Sequence, residues 1–294
     1  MIMEETSVFF GSYEELSDGG SGSIQKIHES PESYSVLSRM TLDGKLVALK
    51  SLKPEHVGNP FYEGLLRKEY EISHTLDHPD ICPVLDFMNI PGLGNCIVMQ
   101  WIDGESLASI YGKEALPVRK IVLELCDALE YLHSRQIVHR DLKPGNIMIT
   151  RNGRNVKLID FGLSDADWYS VLKNPAGTRD YVSPEQMAGE CVDCRTDIYS
   201  LGRIMQKMGA YPRIAAVCAA EDRDKRYGSV AEVRTAILTR ERRARRIVAA
   251  VLVSALVFAL SFSLALPDIK SAMNRRAVDS VFDEISAEIK ESGY

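Results

Sequence analysis

The chain has 294 residues, of which 45% are hydrophobic and 26% are charged, so most of it is expected to be globular rather than disordered. Its net charge of −6 argues against a general nucleic-acid-binding protein, and no nucleic-acid partner is expected. The length fits one domain with two lobes, or two small domains.

The first distinctive segment is rich in glycine and serine and reads SDGGSGSIQ, from Ser17 to Gln25. Its composition favours a flexible linker, and the alternative is a loop whose glycines let the backbone approach a ligand closely. The residues before it are acidic where a secretory signal peptide needs basic ones. The first part of the chain is therefore expected in the cytoplasm.

Strand patterns and one helix pattern fill the sequence up to about residue 95. Apolar runs on both sides of Asp43-Gly44 predict a β-hairpin. Apolar residues at helical spacing predict a helix over Pro60–Leu76, with Pro79 beyond its end.

From about residue 103 helical patterns dominate. Residues 116–135 predict an amphipathic helix, with apolar residues repeating along one face. Two short strands are predicted at residues 146–150 and 156–160, joined by a turn at Asn152-Gly153.

The segment Ile247–Leu266 has 20 residues and no charged side chain. As a helix it would be about 30 Å long, which matches the hydrocarbon thickness of a bilayer. A buried core helix is the alternative. Five arginines in residues 240–246 precede it, which by the positive-inside rule places this flank in the cytoplasm and offers contacts to anionic lipid. A short tail, residues 267–294, would then lie outside, and its apolar spacing predicts one amphipathic helix.

The motifs HRDLKPGN (His139–Asn146) and DFG (Asp160–Gly162) carry the polar residues that phosphoryl transfer needs. Asp141 is expected to take the proton from the attacking hydroxyl, and Lys143 to offset charge on the transferred group. Asn146 and Asp160 are expected to hold Mg²⁺ against the phosphate oxygens.

With these motifs, residues 10–240 resemble the eukaryotic-type (Hanks-type) serine/threonine protein kinases that also occur in bacteria. The resemblance implies an α+β bilobal fold, with a small β-rich lobe (about residues 1–98) and a helical lobe (about 103–240). It identifies Lys50 in VALK as the phosphate-anchoring lysine and implies that it pairs with Glu69.

The same resemblance implies an ATP site in the small lobe. Met99 corresponds to the gatekeeper, and Gln100 and Ile102 to the hinge whose backbone would bind adenine. The remaining implied ATP-binding residues are the phosphate-covering loop (Ser17, Gly19 and Gly22) and the apolar side chains that enclose the base (Ile24, Ala48 and Met148).

Further pairs follow from the resemblance in the large lobe. Glu185 in SPE is expected to form a salt bridge with Arg226, and Asp197 to support the catalytic loop. Lys143 and Thr178 point to serine or threonine as the acceptor.

The sequence also departs from the family pattern. Ser17 replaces the first glycine of G-x-G-x-x-G, and the spacing from Gly22 to Lys50 exceeds the usual one by about ten residues, which predicts an enlarged loop or an extra strand turn. Asp197 and Arg226 are only 29 positions apart, which predicts a shortened helix G region. Residues 171–177 contain no Ser or Thr, which argues against activation by phosphorylation there.

The sequence thus predicts a membrane-anchored, single-pass serine/threonine protein kinase. The implied cofactors are ATP and Mg²⁺, with Mn²⁺ as an alternative metal. The implied substrates are proteins, with the kinase itself as one candidate. The predicted parts are a cytoplasmic kinase domain (1–240), a basic segment (241–246), a transmembrane helix (247–266) and an outer tail (267–294). A pseudokinase scaffold and a small-molecule kinase are the alternatives.

Overall fold

The computed structural model describes residues 24–29, 33–160 and 180–291 of the chain. The chain divides into two compact units, Met1–Ile237 and Leu238–Tyr294. The first unit begins with the elements β1 (Gln25–Glu29), β2 (Ser35–Leu42), β3 (Lys45–Leu52), α1 (Pro60–Ser73), β4 (Val84–Ile90) and β5 (Gly94–Gln100).

These strands form an antiparallel sheet with the order β1-β2-β3-β5-β4. The hairpin predicted at Asp43-Gly44 is confirmed, since Leu42 pairs with Lys45 across this two-residue turn. Asp43 and Gly44 have φ angles of 49° and 75°, and two consecutive positive φ values define the tight turn that suits twisted strands.

Helix α1 begins where Asn59 accepts a hydrogen bond from the backbone N–H of Phe61, with Pro60 as its first residue. The predicted helix is confirmed, although it ends at Ser73 rather than Leu76. Its buried Leu66 packs against Leu52 and Ile97 of the sheet, which fixes the helix on that face.

The rest of the first unit is mainly helical. Its α-helices and strands are β6 (Gly104–Ser106), α2 (Leu107–Ile110), α3 (Val118–Ser134), β7 (Ile147–Thr150), β8 (Val156–Leu158), α4 (Pro184–Ala188), α5 (Cys194–Lys207), α6 (Pro212–Cys218) and the start of α7 (Val230–Glu291). Short 3₁₀ helices cover Pro54–His56, Pro144–Asn146 and Arg223–Lys225. Strands β6, β7 and β8 form a small antiparallel sheet, which confirms the two strands predicted on either side of Asn152-Gly153.

Helix α3 is the centre of the larger core. The predicted apolar face of this helix is confirmed, because Ile121, Leu125, Ala128 and Leu132 are completely buried. Together with residues of α5 and α6 they form one apolar cluster, which supports the loops at its edge.

The chain between α5 and α7 is short, as predicted from the sequence, and α6 is its only α-helix. Gly202 of α5 brings these helices close together. A Cβ atom on Gly202 would lie 2.6 Å from the Cβ of Cys218 on α6, nearer than real Cβ contacts allow. The absence of a side chain at Gly202 therefore allows α5 and α6 to pack closely.

The second unit consists of helical residues from Leu238 onward. The stretch Val230–Pro267 is long and apolar enough to cross a membrane, with a mean hydropathy of 2.6 in its most apolar window and none of that window buried. The helix continues past Pro267 to Glu291, so the helix predicted in the tail is present. It is continuous with the apolar stretch rather than separate from it.

Candidate active site

Lys50 on β3 joins two carboxylates that come from different parts of the first unit. Its ammonium nitrogen lies 2.7 Å from Oε1 of Glu69 on α1 and 2.7 Å from Oδ1 of Asp160, which follows β8. The predicted Lys50–Glu69 ion pair is therefore present. The contact to Asp160 also links the small lobe to the DFG motif.

One ammonium cannot neutralise both carboxylates. Burial, and next the nearby Asp160 charge, raise the pKa of Glu69 to about 7 despite the contact with Lys50. Partial burial opposes the ionisation of Asp160 as well, but the contact with Lys50 outweighs it and lowers the pKa of this carboxyl to about 2. Lys50 thus favours the ionised form of both carboxylates, whereas burial favours the protonated form of each.

The predicted catalytic-loop residues are brought together around Asp141. Its Oδ2 atom lies 2.7 Å from the ammonium of Lys143 and accepts a 2.9 Å hydrogen bond from Nδ2 of Asn146. The backbone carbonyl of Asn146 accepts a hydrogen bond from Ile159, which places Asn146 beside the residue preceding Asp160. The loop and the DFG aspartate therefore border the same site.

Two residues of this site have unusual backbone angles. Arg140 and Asp160 have φ values of 66° and 65°, in the left-handed region that non-glycine residues rarely adopt. Such conformations persist where the surrounding contacts determine them, and they are frequent at functional sites.

Asp197 of α5 provides those contacts for the catalytic loop. Its completely buried carboxylate accepts hydrogen bonds of 2.9 Å from the backbone N–H groups of His139 and Arg140. Burial disfavours its ionisation, but these bonds and His133 outweigh it and lower the pKa of Asp197. The predicted support of the loop by Asp197 is present.

Two further residues support the catalytic loop, and no sequence pattern predicts them. His133 lies on α3 with Nε2 2.7 Å from Oδ2 of Asp197. Gln186 of α4 donates a 2.8 Å hydrogen bond to the carbonyl of Arg140. Neither residue belongs to a motif used above, so only the fold reveals them.

The predicted Glu185–Arg226 salt bridge is present and buried. Both terminal nitrogens of Arg226 contact Glu185, at 2.7 and 2.8 Å, and Thr196 donates a further hydrogen bond to the same carboxylate. Partial burial opposes ionisation, but these hydrogen bonds outweigh it and lower the pKa of Glu185 to about 2. The pair joins α4 to the chain that precedes α7.

An apolar cluster lies between the sheet and β7, as expected for a base-binding pocket. It contains Ala48, Ile102 and Met148, with Met99 packed against it. Cys82 and Trp101 also belong to it, whereas Gln100, a predicted hinge residue, is exposed. Cys82 was not predicted, because nothing in the local sequence marks it.

Ile24, which was predicted to enclose the base, does not belong to this cluster. Ile24 precedes β1 and is 37% exposed, whereas Ile27 of β1 and Leu37 of β2 pack against the cluster. The sheet order brings these two side chains together, because β1 carries Ile27 and pairs with β2, which carries Leu37 and pairs with β3. Strands β1 and β2 and the first part of β3 lie between Gly22 and Lys50.

The predicted phosphate-covering residues Ser17, Gly19 and Gly22 lie outside the described residues. So does Thr178.

A five-stranded sheet with one packed helix, a helical lobe, and a site of Lys, Glu, Asp and Asn side chains between them define a bilobal phosphotransferase fold. In agreement, the protein kinase domain family matches residues 29–248, and the chain belongs to this family. Ser17, Gly19, Gly22 and Ile24 precede the matched residues.

Curated relatives are bacterial serine/threonine kinases. A probable serine/threonine-protein kinase of Streptomyces coelicolor is 35% identical over 225 residues, which cover 70% of this chain and 31% of that protein. The serine/threonine-protein kinase PknB of Mycolicibacterium smegmatis is 37% identical over 174 residues, covering 55% of this chain and 28% of that protein. The chain spans about a third of the length of these relatives.

Among solved structures, the kinase domain of PknI from Mycobacterium tuberculosis is similar, with a TM-score of 0.55 and 25% sequence identity. The similarity covers 73% of this chain and 94% of the PknI kinase domain. The members of this family use ATP and a divalent metal ion, which gives the polar site its chemical context.

Proposed function

We propose that this chain is an ATP-dependent serine/threonine protein kinase anchored in a membrane. The observation that carries the proposal is the contact of Lys50 with both Glu69 and Asp160, next to a loop that holds Asp141, Lys143 and Asn146 together. This combination of side chains suits phosphoryl transfer, which needs positioning and charge stabilisation more than covalent chemistry.

The small lobe would bind ATP. The apolar cluster around Ala48 and Met148, against which the gatekeeper Met99 packs, would enclose the base. The backbone of Gln100–Ile102 would hydrogen-bond adenine, and Lys50, held by Glu69, would anchor the phosphates. The amino acids of the pocket thus match the two ends of a nucleotide, one apolar and one anionic.

The residues of the site also fit a divalent metal. The amide nitrogen of Asn146 is bonded to Asp141, so its amide oxygen is the atom able to coordinate, and Asp160 adds an ionised carboxylate. Oxygen ligands of this kind suit Mg²⁺, with Mn²⁺ as an alternative. The metal, when bound, would offset the charge of the phosphate oxygens.

Asp141 would act on the acceptor. Its Oδ2 atom is bonded to Lys143 and Asn146, which leaves Oδ1 to accept the proton of a serine or threonine hydroxyl. The acceptor oxygen then forms a bond to the γ-phosphorus as the bond to ADP breaks. Lys143 would offset the negative charge on the transferred group.

The activity is tested by incubating the purified full chain with labelled ATP, Mg²⁺ and a generic protein substrate. Asp141→Asn and Asp160→Asn should each abolish incorporation into substrate and into the chain itself. Asp77→Asn, which changes an exposed carboxylate, is the control and should keep wild-type activity. Unchanged activity in the two site variants would rule out the assigned mechanism. Nucleotide binding without any turnover in wild type would identify a pseudokinase.

The apolar helical stretch and the arginines before it support the membrane part of the proposal. Ile247–Leu266 would span the bilayer, and the five arginines within residues 240–246 would contact anionic lipid on the cytoplasmic side. The kinase domain (1–240) would then face the cytoplasm and the tail (267–294) the outside. A C-terminal tag on intact cells tests this topology, because an outer tag is cleaved by added protease and an inner tag is protected.

A further inference from the structure

Tyr34 lies directly before β2 and contacts the side chain that holds Lys50. Its hydroxyl donates a 3.2 Å hydrogen bond to Oε2 of Glu69, while Oε1 of the same carboxylate contacts Lys50 at 2.7 Å. The two oxygens of Glu69 are therefore held by different partners. Its orientation depends on Tyr34 as well as on Lys50.

The ring of Tyr34 is itself fixed. It stacks on Tyr62 of α1, with centroids 5.9 Å apart, and Tyr62 stacks on His56 at 3.9 Å. The carbonyl of Tyr34 accepts a 2.9 Å hydrogen bond from Lys53 at the end of β3. Tyr34 is thus attached to both the sheet and α1, the two elements that carry Lys50 and Glu69.

We propose that Tyr34 is a positioning residue that holds Glu69, and through it Lys50, in the arrangement that anchors the phosphates of ATP. This inference rests on the proposed kinase function. Tyr34 acts on Glu69 rather than on the substrate, so its loss should change how well the pair forms and not remove the reaction itself.

The charges around Glu69 make the effect dependent on pH. The carboxylate faces Lys50 from β3, Asp160 after β8 and the Tyr34 hydroxyl before β2. Burial, followed by the charge of Asp160, favours the protonated form, whereas Lys50 and Tyr34 favour the ionised form. Only ionised Glu69 attracts the ammonium, so activity should fall as pH decreases through the pKa of Glu69. Removing the hydroxyl of Tyr34 should move this fall to higher pH.

The test compares Tyr34→Phe with Tyr62→Phe. Both changes remove only a hydroxyl, and that of Tyr62 has no hydrogen-bond partner among the described residues. We measure kcat/KM for ATP between pH 6 and 9, because this ratio reports groups of the free enzyme, together with the thermal midpoint. Tyr34→Phe should lower kcat/KM by about tenfold at pH 7, which is the scale of a lost hydrogen bond to a charged group. It should also shift the acidic limb of the pH profile to higher pH. Tyr62→Phe should match wild type.

A double-mutant cycle separates positioning from a purely structural role. In a Glu69→Ala background, Tyr34→Phe should have no further effect. Wild-type kcat/KM and an unshifted limb in Tyr34→Phe, or an equal loss in the Glu69→Ala background, would overturn the proposal. If wild type transfers no phosphate, the kinase proposal fails. In that case, the same double-mutant cycle, measured as affinity for a non-hydrolysable ATP analogue, tests the role of Tyr34 independently of the kinase activity.

Discussion

His133 of α3 lies with its Nε2 atom 2.7 Å from Oδ2 of Asp197 on α5, and the same carboxylate accepts the backbone N–H groups of His139 and Arg140. The core helix α3 therefore reaches the catalytic loop through a single buried carboxylate. Any change at this carboxylate should alter both the stability and the geometry of the loop.

We expect Asp197→Asn to lower activity strongly, because the amide nitrogen cannot accept one of the backbone hydrogen bonds. The unfolding free energy should fall by about 1–3 kcal/mol, the cost of leaving a buried donor without a partner. His133→Phe should have a smaller effect in the same direction. His74→Phe, at the exposed end of α1, is the control. Denaturant unfolding and the phosphate-transfer assay measure the two effects, and full activity in Asp197→Asn would contradict the role of this carboxylate.

The Glu185–Arg226 pair should dominate the acid stability of the large lobe. Glu185→Ala leaves the buried Arg226 charge unpaired, and breaking a buried pair in this way costs about 3–5 kcal/mol. Glu71→Gln breaks an exposed pair with Arg67 and should cost less than about 1 kcal/mol.

The sign of the pH dependence follows from the lowered pKa of Glu185. Its contribution is fully present above the ordinary value of 4.5 and is lost as pH falls towards about 2, because the unfolded chain binds the proton first. Wild-type stability should therefore decline on acidification below pH 4.5, and Glu185→Ala should show a shallower decline. Denaturant titrations at several pH values measure both slopes, and equal slopes would contradict the assignment.

Gly202→Ala should destabilise the contact between α5 and α6. The new Cβ would lie 2.6 Å from the Cβ of Cys218, so one of the helices must move. Gly64→Ala is the matched control on α1, where nothing lies within 4 Å of the added Cβ. Because alanine favours helix, this variant should gain about 0.5–1 kcal/mol. Opposite shifts of the two thermal midpoints are expected, and equal shifts would exclude a steric effect at Gly202.

The position of Tyr34 also bears on the glycine-rich segment, whose residues Gly19 and Gly22 precede β1. Tyr34, in contrast, ends the connection from β1 to β2, and its ring centroid lies 6.0 Å from the ammonium of Lys50. The residue near Lys50 thus comes from the β1–β2 connection. We therefore expect Gly19→Val and Gly22→Val to leave the affinity for an ATP analogue unchanged, whereas Lys50→Ala should lower it. Calorimetric binding measures this difference. Loss of affinity in either glycine variant would restore the original prediction that these residues cover the phosphates.

The amino-acid sequence by itself determined the chemistry of the site and most of the elements that carry it. Asp141, Lys143 and Asn146 lie within six residues, and Asp43-Gly44 sits inside its own hairpin. Such features depend on short spacings and on side-chain type, which the sequence displays directly. The apolar stretch of Ile247–Leu266 is equally local.

Only the tertiary structure decided which distant residues meet this chemistry. The sheet order brought Ile27 and Leu37, rather than Ile24, to the apolar cluster. Helix packing brought His133 to Asp197, and the attachment of α1 brought Glu69 to Tyr34. These contacts join residues separated by long stretches of chain, and their formation depends on how whole elements pack, which no local pattern encodes.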